Sequence, residues 1–256
     1  MKTTTVLIVD GNWVMQRFWQ AGSDDYSVDK IHEYIKSQGE LINADKYIIL
    51  FDLGKSAYRT AILKSYKGNR AKKSDDQQSA FQQTRDYFVE LAKHDPNYTV
   101  FMRDNTEADD LACKLCKVLD MPNVRIYLLS IDHDWFQMLD GDRVIQIRYS
   151  PVEGTEQIVT EDDATAKIGF PAKRWAELAA FGGDASDNVP ATGISKTQAL
   201  KWLKQYNSLL GVWANEPEAR AVQGDLWRNY KLTKLTGDCV PMTETDEKQL
   251  RDWVNA

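Results

Sequence analysis

The sequence predicts an α/β fold, with a central, mainly parallel sheet, flanking helices and a helical C-terminal lobe. Three observations carry this. Short apolar runs recur along the first half, and three are near-continuous, as in strands buried on both faces. Amphipathic helical patterns fill the gaps between them, as in a doubly wound layer with right-handed connections. From about residue 160 strand patterns stop and only helical segments follow. At 256 residues the chain suits one α/β body with an appended lobe, divided at 1–160 and 161–256. No low-complexity linker or internal repeat separates the parts, so a continuous body is expected.

In order, the strands are expected over 4–10, 47–52, 98–103, 124–130 and 144–148. Helices are expected over 28–41, 75–94 and 106–119. In the second, Phe81, Thr84, Phe88 and Leu91 share a face; in the third, Ala108, Leu111, Leu115 and Val118 do. Thr106 or Asn105 is expected to open that third helix. The lobe reads as helices over 161–168, 171–181, 195–206, 216–235 and 244–254. The charged stretch 64–76 has few large apolar residues and is expected to project from the core.

Nine acids fall in five clusters, and four clusters directly follow a predicted strand. Asp10 follows Val6-Leu7-Ile8-Val9, and Asp52 follows Ile48-Ile49-Leu50-Phe51. Glu107, Asp109 and Asp110 come after the third strand, Asp132 and Asp134 after the fourth, and Asp184 and Asp187 lie in a glycine-rich turn. The carboxyl ends of parallel strands share one rim, where ligands bind. Like charges gathered there repel and raise one another's pKa, and divalent ions relieve this. Hard ions such as Mg²⁺ and Mn²⁺ take oxygen ligands, and nine carboxylates exceed the needs of one ion. Two ions about 3.5–4 Å apart would suit a phosphodiester displacement, so the pattern points to a metal-dependent nuclease. A single Asp after a strand is often a turn former, and Glu107 alone could be a capping acid. Three acids in one turn with four more clusters on the rim exceed either role. His133, between Asp132 and Asp134, is expected to point away and not to bind metal.

The net charge of −6 does not exclude a polyanionic partner. Nine of the 38 acidic residues lie in the clusters, and the remaining 29 face 32 basic ones, a mildly basic surface. Three cysteines form no disulfide framework and suit a reducing compartment; Cys113 and Cys116, inside a predicted helix, are expected in the core. No stretch approaches the ~18 apolar residues of a membrane span, and the N-terminus shows no signal-peptide pattern. A cytoplasmic location, bacterial or in an infected host cell, is expected. Of the eight tryptophans, Trp175, Trp202, Trp213, Trp227 and Trp253 are expected to pack in the lobe, and Trp13 to stand near a nucleotide.

At these positions the chain resembles the structure-specific 5′-nuclease superfamily of flap endonucleases, DNA polymerase I 5′-nuclease domains and bacteriophage 5′-3′ exonucleases. The matching motifs are Val9-Asp10-Gly11-Asn12, Phe51-Asp52, Tyr66-Lys67-Gly68-Asn69-Arg70, Glu107-Ala108-Asp109-Asp110, Ser130-Ile131-Asp132-His133-Asp134 and Gly183-Asp184-Ala185-Ser186-Asp187-Asn188. Their order and compact spacing are most like the bacteriophage members. The resemblance implies a PIN-like core with a helical arch over the active site at about 65–94. It also implies a helix–turn–helix hairpin at about 183–206. It implies two Mg²⁺ ions, with Mn²⁺ as substitute. Asp10, Asp52, Glu107, Asp109, Asp110 and Asp132 would build the first metal site, and Asp132, Asp134, Asp184 and Asp187 the second.

The expected catalytic residues are Lys67, Arg70 and Asp132. A helix through the arch base would put Lys67 and Arg70 on one face, towards the scissile phosphate. Gly68 and Asn69 are poor helix formers, so this base is expected to be mobile until DNA binds. Expected DNA contacts are Tyr66, Lys67, Arg70, Lys72, Lys73, Gly193, Ser195 and Lys196. The resemblance also implies a K⁺ ion at the hairpin. This sequence departs from that pattern, with Ser195 and Ala191 where glycines are usual and a turn one residue shorter. The implied activity is two-metal hydrolysis at DNA 5′ ends and single-strand/duplex junctions in replication or repair, with an RNA–DNA primer as a further substrate. A monomer is expected, and no clamp-binding motif follows residue 237. Two alternatives are a PIN-type ribonuclease, which would lack the arch pair and the hairpin, and a silent junction-binding protein, which would have lost a rim acid.

Overall fold

Val6, Leu7, Ile8 and Val9 are fully buried in β1 (Thr4–Asp10), because this strand lies in the middle of the sheet with a helical layer on each face. The computed structural model describes residues 2–22 and 26–256. Its other strands are β2 (Lys46–Leu50), β3 (Tyr98–Phe101), β4 (Val124–Leu129), β5 (Val144–Ser150) and β6 (Thr155–Val159). They form one sheet in the order β3-β2-β1-β4-β5-β6, parallel except for β6. The order reverses between β1 and β4, the switch point where open α/β sheets bind ligands.

Alternate residues of the strands face opposite layers. Leu7, Val9, Ile49 and Phe51 meet α1 (Gly11–Ala21), α2 (Val28–Leu41) and α4 (Asp75–His94) through Val14, Met15, Ile31, Ile35, Phe81 and Phe88. Val6, Ile8, Ile48 and Leu50 meet α5 (Ala108–Val118) and α12 (Glu244–Asn255) through Leu111, Leu115, Leu250 and Val254. Cys113 and Cys116 are buried in that layer, and burial raises both thiols. The remaining helices are α3 (Ala57–Ile62), α6 (Glu161–Ile168), α7 (Trp175–Gly182), α8 (Lys196–Tyr206), α9 (Leu209–Asn215), α10 (Pro217–Ala221) and α11 (Gln223–Thr233). The lobe has its own core of Leu178, Phe181, Trp202, Leu203, Val212 and Leu226.

The structure departs from the sequence reading at several places. Helices α1 and α3 were not expected, and β6 extends the sheet as a short polar edge strand whose composition masks it. The helix expected over 216–235 is two, α10 and α11, because Pro217 opens the first and Val222 interrupts the pair. Helix α12 leaves the lobe and returns to the sheet, so 161–256 is not wholly lobe. The 64–76 segment does not simply project: Tyr66 within it is 4% exposed. None of the described helices is long and apolar enough to cross a membrane.

Candidate active site

Seven of the nine acids sit at or just beyond the ends of the parallel strands, Asp184 and Asp187 lie in the turn between α7 and α8, and each is held by local geometry. Asp10 ends β1 and caps α1, its Oδ1 accepting from the Trp13 amide at 2.9 Å and its Oδ2 from Ser130 Oγ at 3.1 Å. Burial, then the charge of Asp109, raises its carboxyl well above the usual range. Asp52 accepts from the Ala108 amide at 2.7 Å. A side chain arriving from β2 therefore caps α5, the role expected of Asn105 or Thr106; the helix itself starts at Ala108 after Glu107. Burial pushes Asp52 up to about 6.

After β4, the loop bearing Asp132 is braced from the next strand. Gln146 Nε2 and Arg148 Nη1 donate to the Asp132 carbonyl, both at 3.0 Å. Asp132 Oδ1 accepts from the Asp134 amide at 2.8 Å. Desolvation and then Asp109 push Asp132 up to about 6, and desolvation and then Asp132 raise Asp134. Two indoles grip this region: Trp135 Nε1 donates to Asp109 at 2.6 Å and Trp175 Nε1 to Asp134 at 2.7 Å. Asp184 Oδ1 accepts from Ser186 N at 2.8 Å and Ser186 Oγ at 2.6 Å, closing the turn that carries Asp187.

Residues 64–69 form turns, not the helix expected at the arch base, and Lys67 adopts φ 53°. Lys67 and Arg70 therefore do not share a helix face. They converge by a different route, because the segment folds down onto the 184–188 turn. The Lys67 amide donates to Asp187 O at 2.9 Å, Asn69 Nδ2 to Ala185 O at 2.8 Å, and Asn188 Nδ2 to Ser65 O at 2.9 Å. Lys67 Nζ lies 2.8 Å from Glu107, and Arg70 pairs with Asp187. Tyr66, expected among the DNA contacts, is largely buried and lines the smaller cavity. Its buried hydroxyl lies 3.1 Å from Glu107 and 2.9 Å from Asp187, tying the loop to both acids.

Asp110 is the acid that stands apart. It is fully buried and pairs with Arg59, whose guanidinium also donates to Glu107 at 3.2 Å and to Leu232 O at 2.9 Å. The other eight acids line two adjoining cavities. One, of about 290 Å³, is lined by Asp109, Asp132, Asp134, Asp184 and Asp187. The other, of about 740 Å³, is lined by Asp10, Asp52, Glu107, Asp109 and Asp132. Lys67, Arg70, Asp109 and Asp132 face both. Lys72 and Lys73 line the larger cavity with Trp13. Among the described residues no three histidine, cysteine or acidic groups converge as a ready-made metal ligand set.

A hairpin of residues 183–195 joins α7 to α8. Gly183 has φ 62° and Gly193 φ 85°. Ser195 Oγ accepts from the Gln198 amide at 3.2 Å, so the serine standing in a glycine position caps α8. Lys196 Nζ lies 4.9 Å from the centre of the Trp175 ring, and His133 stacks on that ring at 5.5 Å. His133 is lowered to about 4, first by desolvation and then by Arg148.

Arg59, Trp135 and Trp175 were missed by sequence reasoning. An arginine in a short, unrecognised helix carries no sign of burial, and an indole looks like packing until its acceptor is known.

Residues 5–169 match the family model of the 5′-3′ exonuclease N-terminal resolvase-like domain. DNA polymerase I of Lactococcus lactis subsp. lactis is 28% identical over 232 residues, covering 84% of this chain and 26% of that protein. DNA polymerase I of Mycobacterium leprae is 28% identical over 215 residues, covering 79% and 23%. The chain thus spans about a quarter of the length of these curated relatives. Among solved structures, the T5 D15 protein co-crystallized with metal ions superposes with TM-score 0.81 at 24% identity over 98% of each chain. Human GEN1 in complex with Holliday junction DNA superposes with TM-score 0.54 at 15% identity, over 95% of this chain and 60% of that one. These structural likenesses are of fold.

Proposed function

The chain belongs to the 5′-3′ exonuclease N-terminal resolvase-like family, and on that premise we propose that its cleft hydrolyses phosphodiesters at DNA 5′ ends and single-strand/duplex junctions. One observation carries the reading. Asp10, Asp52, Asp109, Asp132, Asp134 and Asp184 share the cleft, and among the described residues none of their carboxylate oxygens has a lysine, arginine or histidine nitrogen within 4 Å. Arg59, Lys67 and Arg70 pair instead with Glu107, Asp110 and Asp187.

The donor set fits hard divalent ions, since it offers carboxylate oxygen; His133 does not point away as expected but lines the smaller cavity, with its ring stacked on Trp175. Asp10, Asp52, Glu107, Asp109 and Asp132 would hold one Mg²⁺ and Asp132, Asp134, Asp184 and Asp187 a second, with Mn²⁺ as substitute. Asp110 serves this set through Arg59, which orients Glu107. Ions bound there would supply charge to an attacking water and to the leaving oxygen. Lys67 and Arg70 lie on the same cleft; exchanging Glu107 and Asp187 for the scissile phosphate would place both cations against its transition-state charge. Gly193, Ser195 and Lys196, at the start of α8, would hold duplex phosphates without reading sequence. Lys72 and Lys73 would follow the 5′ strand through the larger cavity.

The test is cleavage of a 5′-labelled flap duplex, a blunt duplex and a single-stranded RNA, each with Mg²⁺ and with EDTA. Mg²⁺-dependent cutting near the flap junction is expected. Cutting of RNA alone would show a PIN-type ribonuclease, and binding without cutting a silent junction binder. Asp132→Asn and Asp134→Asn are each expected to abolish cleavage while flap binding, read by fluorescence anisotropy, persists.

A further inference from the structure

Trp175 opens α7 at the meeting of the lobe and the sheet, and it does more than fill space. Its ring packs with the buried Phe136 and Leu139 beneath the cleft and also joins the core of the lobe. Phe136 meets it edge-on, with ring centres 6.4 Å apart. On the cleft side, His133 stacks on it at 5.5 Å and 29°, and Lys196 Nζ lies 4.9 Å from its centre. A ring held by so many partners has one orientation, and its single polar atom points at a rim acid. Nε1 stands 2.7 Å from Asp134 Oδ1, and Trp175 lines the same cavity as Asp132 and Asp184. The neighbouring indole repeats the device, Trp135 Nε1 lying 2.6 Å from Asp109 Oδ1.

An indole N–H donates only and cannot neutralise a carboxylate. It fixes one oxygen and leaves the other for a ligand, which is how partners behind a metal site orient the ligands in front. We infer that Trp175 is a positioning residue, holding Asp134 through the Nε1–Oδ1 hydrogen bond so that its free oxygen meets a divalent ion in the smaller cavity. This rests on the nuclease reading above. Lys196 starts the helix that follows the hairpin, so the contact also joins the DNA-gripping element to the acid cleft.

Trp175→Phe removes the N–H and keeps an aromatic ring. The test is Mn²⁺ binding to the full chain, followed by the electron paramagnetic resonance signal of free Mn²⁺, with thermal unfolding in EDTA beside it. Loss of one hydrogen bond to a charged group predicts about tenfold weaker binding of one ion. The unfolding midpoint should stay within a few degrees, and kcat on flap DNA should fall with KM unchanged. In an Asp134→Asn background, Trp175→Phe should change Mn²⁺ affinity no further, because the two residues act as one unit. Wild-type Mn²⁺ affinity in Trp175→Phe would overturn the inference and leave the nuclease reading standing. So would an effect that persists undiminished in the Asp134→Asn background. If the unsubstituted chain binds no Mn²⁺ and cuts no DNA, the nuclease reading itself fails, and this inference with it.

Discussion

Asp52 and Asp132 are both pushed up to about 6, and burial is the first cause for each. A carboxyl whose native pKa lies above its unfolded value of about 4 binds its proton more tightly when folded. The metal-free protein therefore gains stability from these two groups as pH falls from 7 through 6 towards 4. Divalent ions require the ionised forms and compete with those protons. Differential scanning calorimetry without metal should show the unfolding midpoint rising from pH 7.5 to 5.5, while the increment from added Mg²⁺ shrinks over the same interval. A flat Mg²⁺ increment would separate these acids from metal binding. Arg59 makes the second residue-level prediction. Arg59 is 2% exposed, and its guanidinium serves Asp110, Glu107 and Leu232 O. Arg59→Leu should cost about 3–5 kcal/mol in urea unfolding, since it leaves buried charge unpaired; a loss below 1 kcal/mol, the size of an exposed pair, would contradict it. Four of the acid clusters were legible in the sequence because each follows an apolar run, and Asp184 and Asp187 because they lie in a glycine-rich turn. Arg59 and Trp175 were not, because their partners lie far off in the chain: Asp110 and Leu232 for one, Asp134 for the other.

The loop at 66–70 shows how an element can be expected for the right chemistry and the wrong geometry. A helix was the route by which Lys67 and Arg70 would share a face. The chain instead turns at Lys67, with φ 53°, and hydrogen bonds to the 184–188 turn bring both cations to the acids. Those pairs must break before either side chain reaches a phosphate. Lys67→Ala should slow cleavage with the metals still bound, and hydrogen exchange at 66–70 should change on adding flap DNA. Exchange that is already slow and unaffected by DNA would contradict this. The hairpin glycines can be told apart in the same way. A Cβ on Gly183 would lie 2.5 Å from Val189 O and 2.6 Å from Pro190 C, whereas one on Gly193 meets nothing within 4 Å. Both have positive φ, so each alanine costs about 1–2 kcal/mol of backbone strain. Thermal unfolding should show Gly183→Ala well below Gly193→Ala, and equal losses would mean that the turn relaxes freely. Strand β6 escaped sequence reasoning because an edge strand needs no buried run, only a neighbour to pair with.

At the scale of the whole molecule, the sheet order places Asp10 and Asp132 on either side of the switch point between β1 and β4. The lobe brings Asp184 and Asp187 to the same cleft from beyond the sheet. The α/β class and the helical lobe were legible from periodicity, since buried strands and amphipathic helices differ in repeat. The return of α12 to the sheet was not, because an amphipathic helix shows which face it buries but not against what. The central claim is that the acids lining the cleft bind two divalent ions beside a scissile phosphate. The most direct measurement is anomalous diffraction at the manganese edge from crystals of the chain with Mn²⁺ and an uncleavable 5′-flap DNA. Two peaks are predicted, one among Asp10, Asp52, Glu107, Asp109 and Asp132, the other among Asp132, Asp134, Asp184 and Asp187. A cleft holding DNA but no manganese, or manganese only outside it, would contradict the claim.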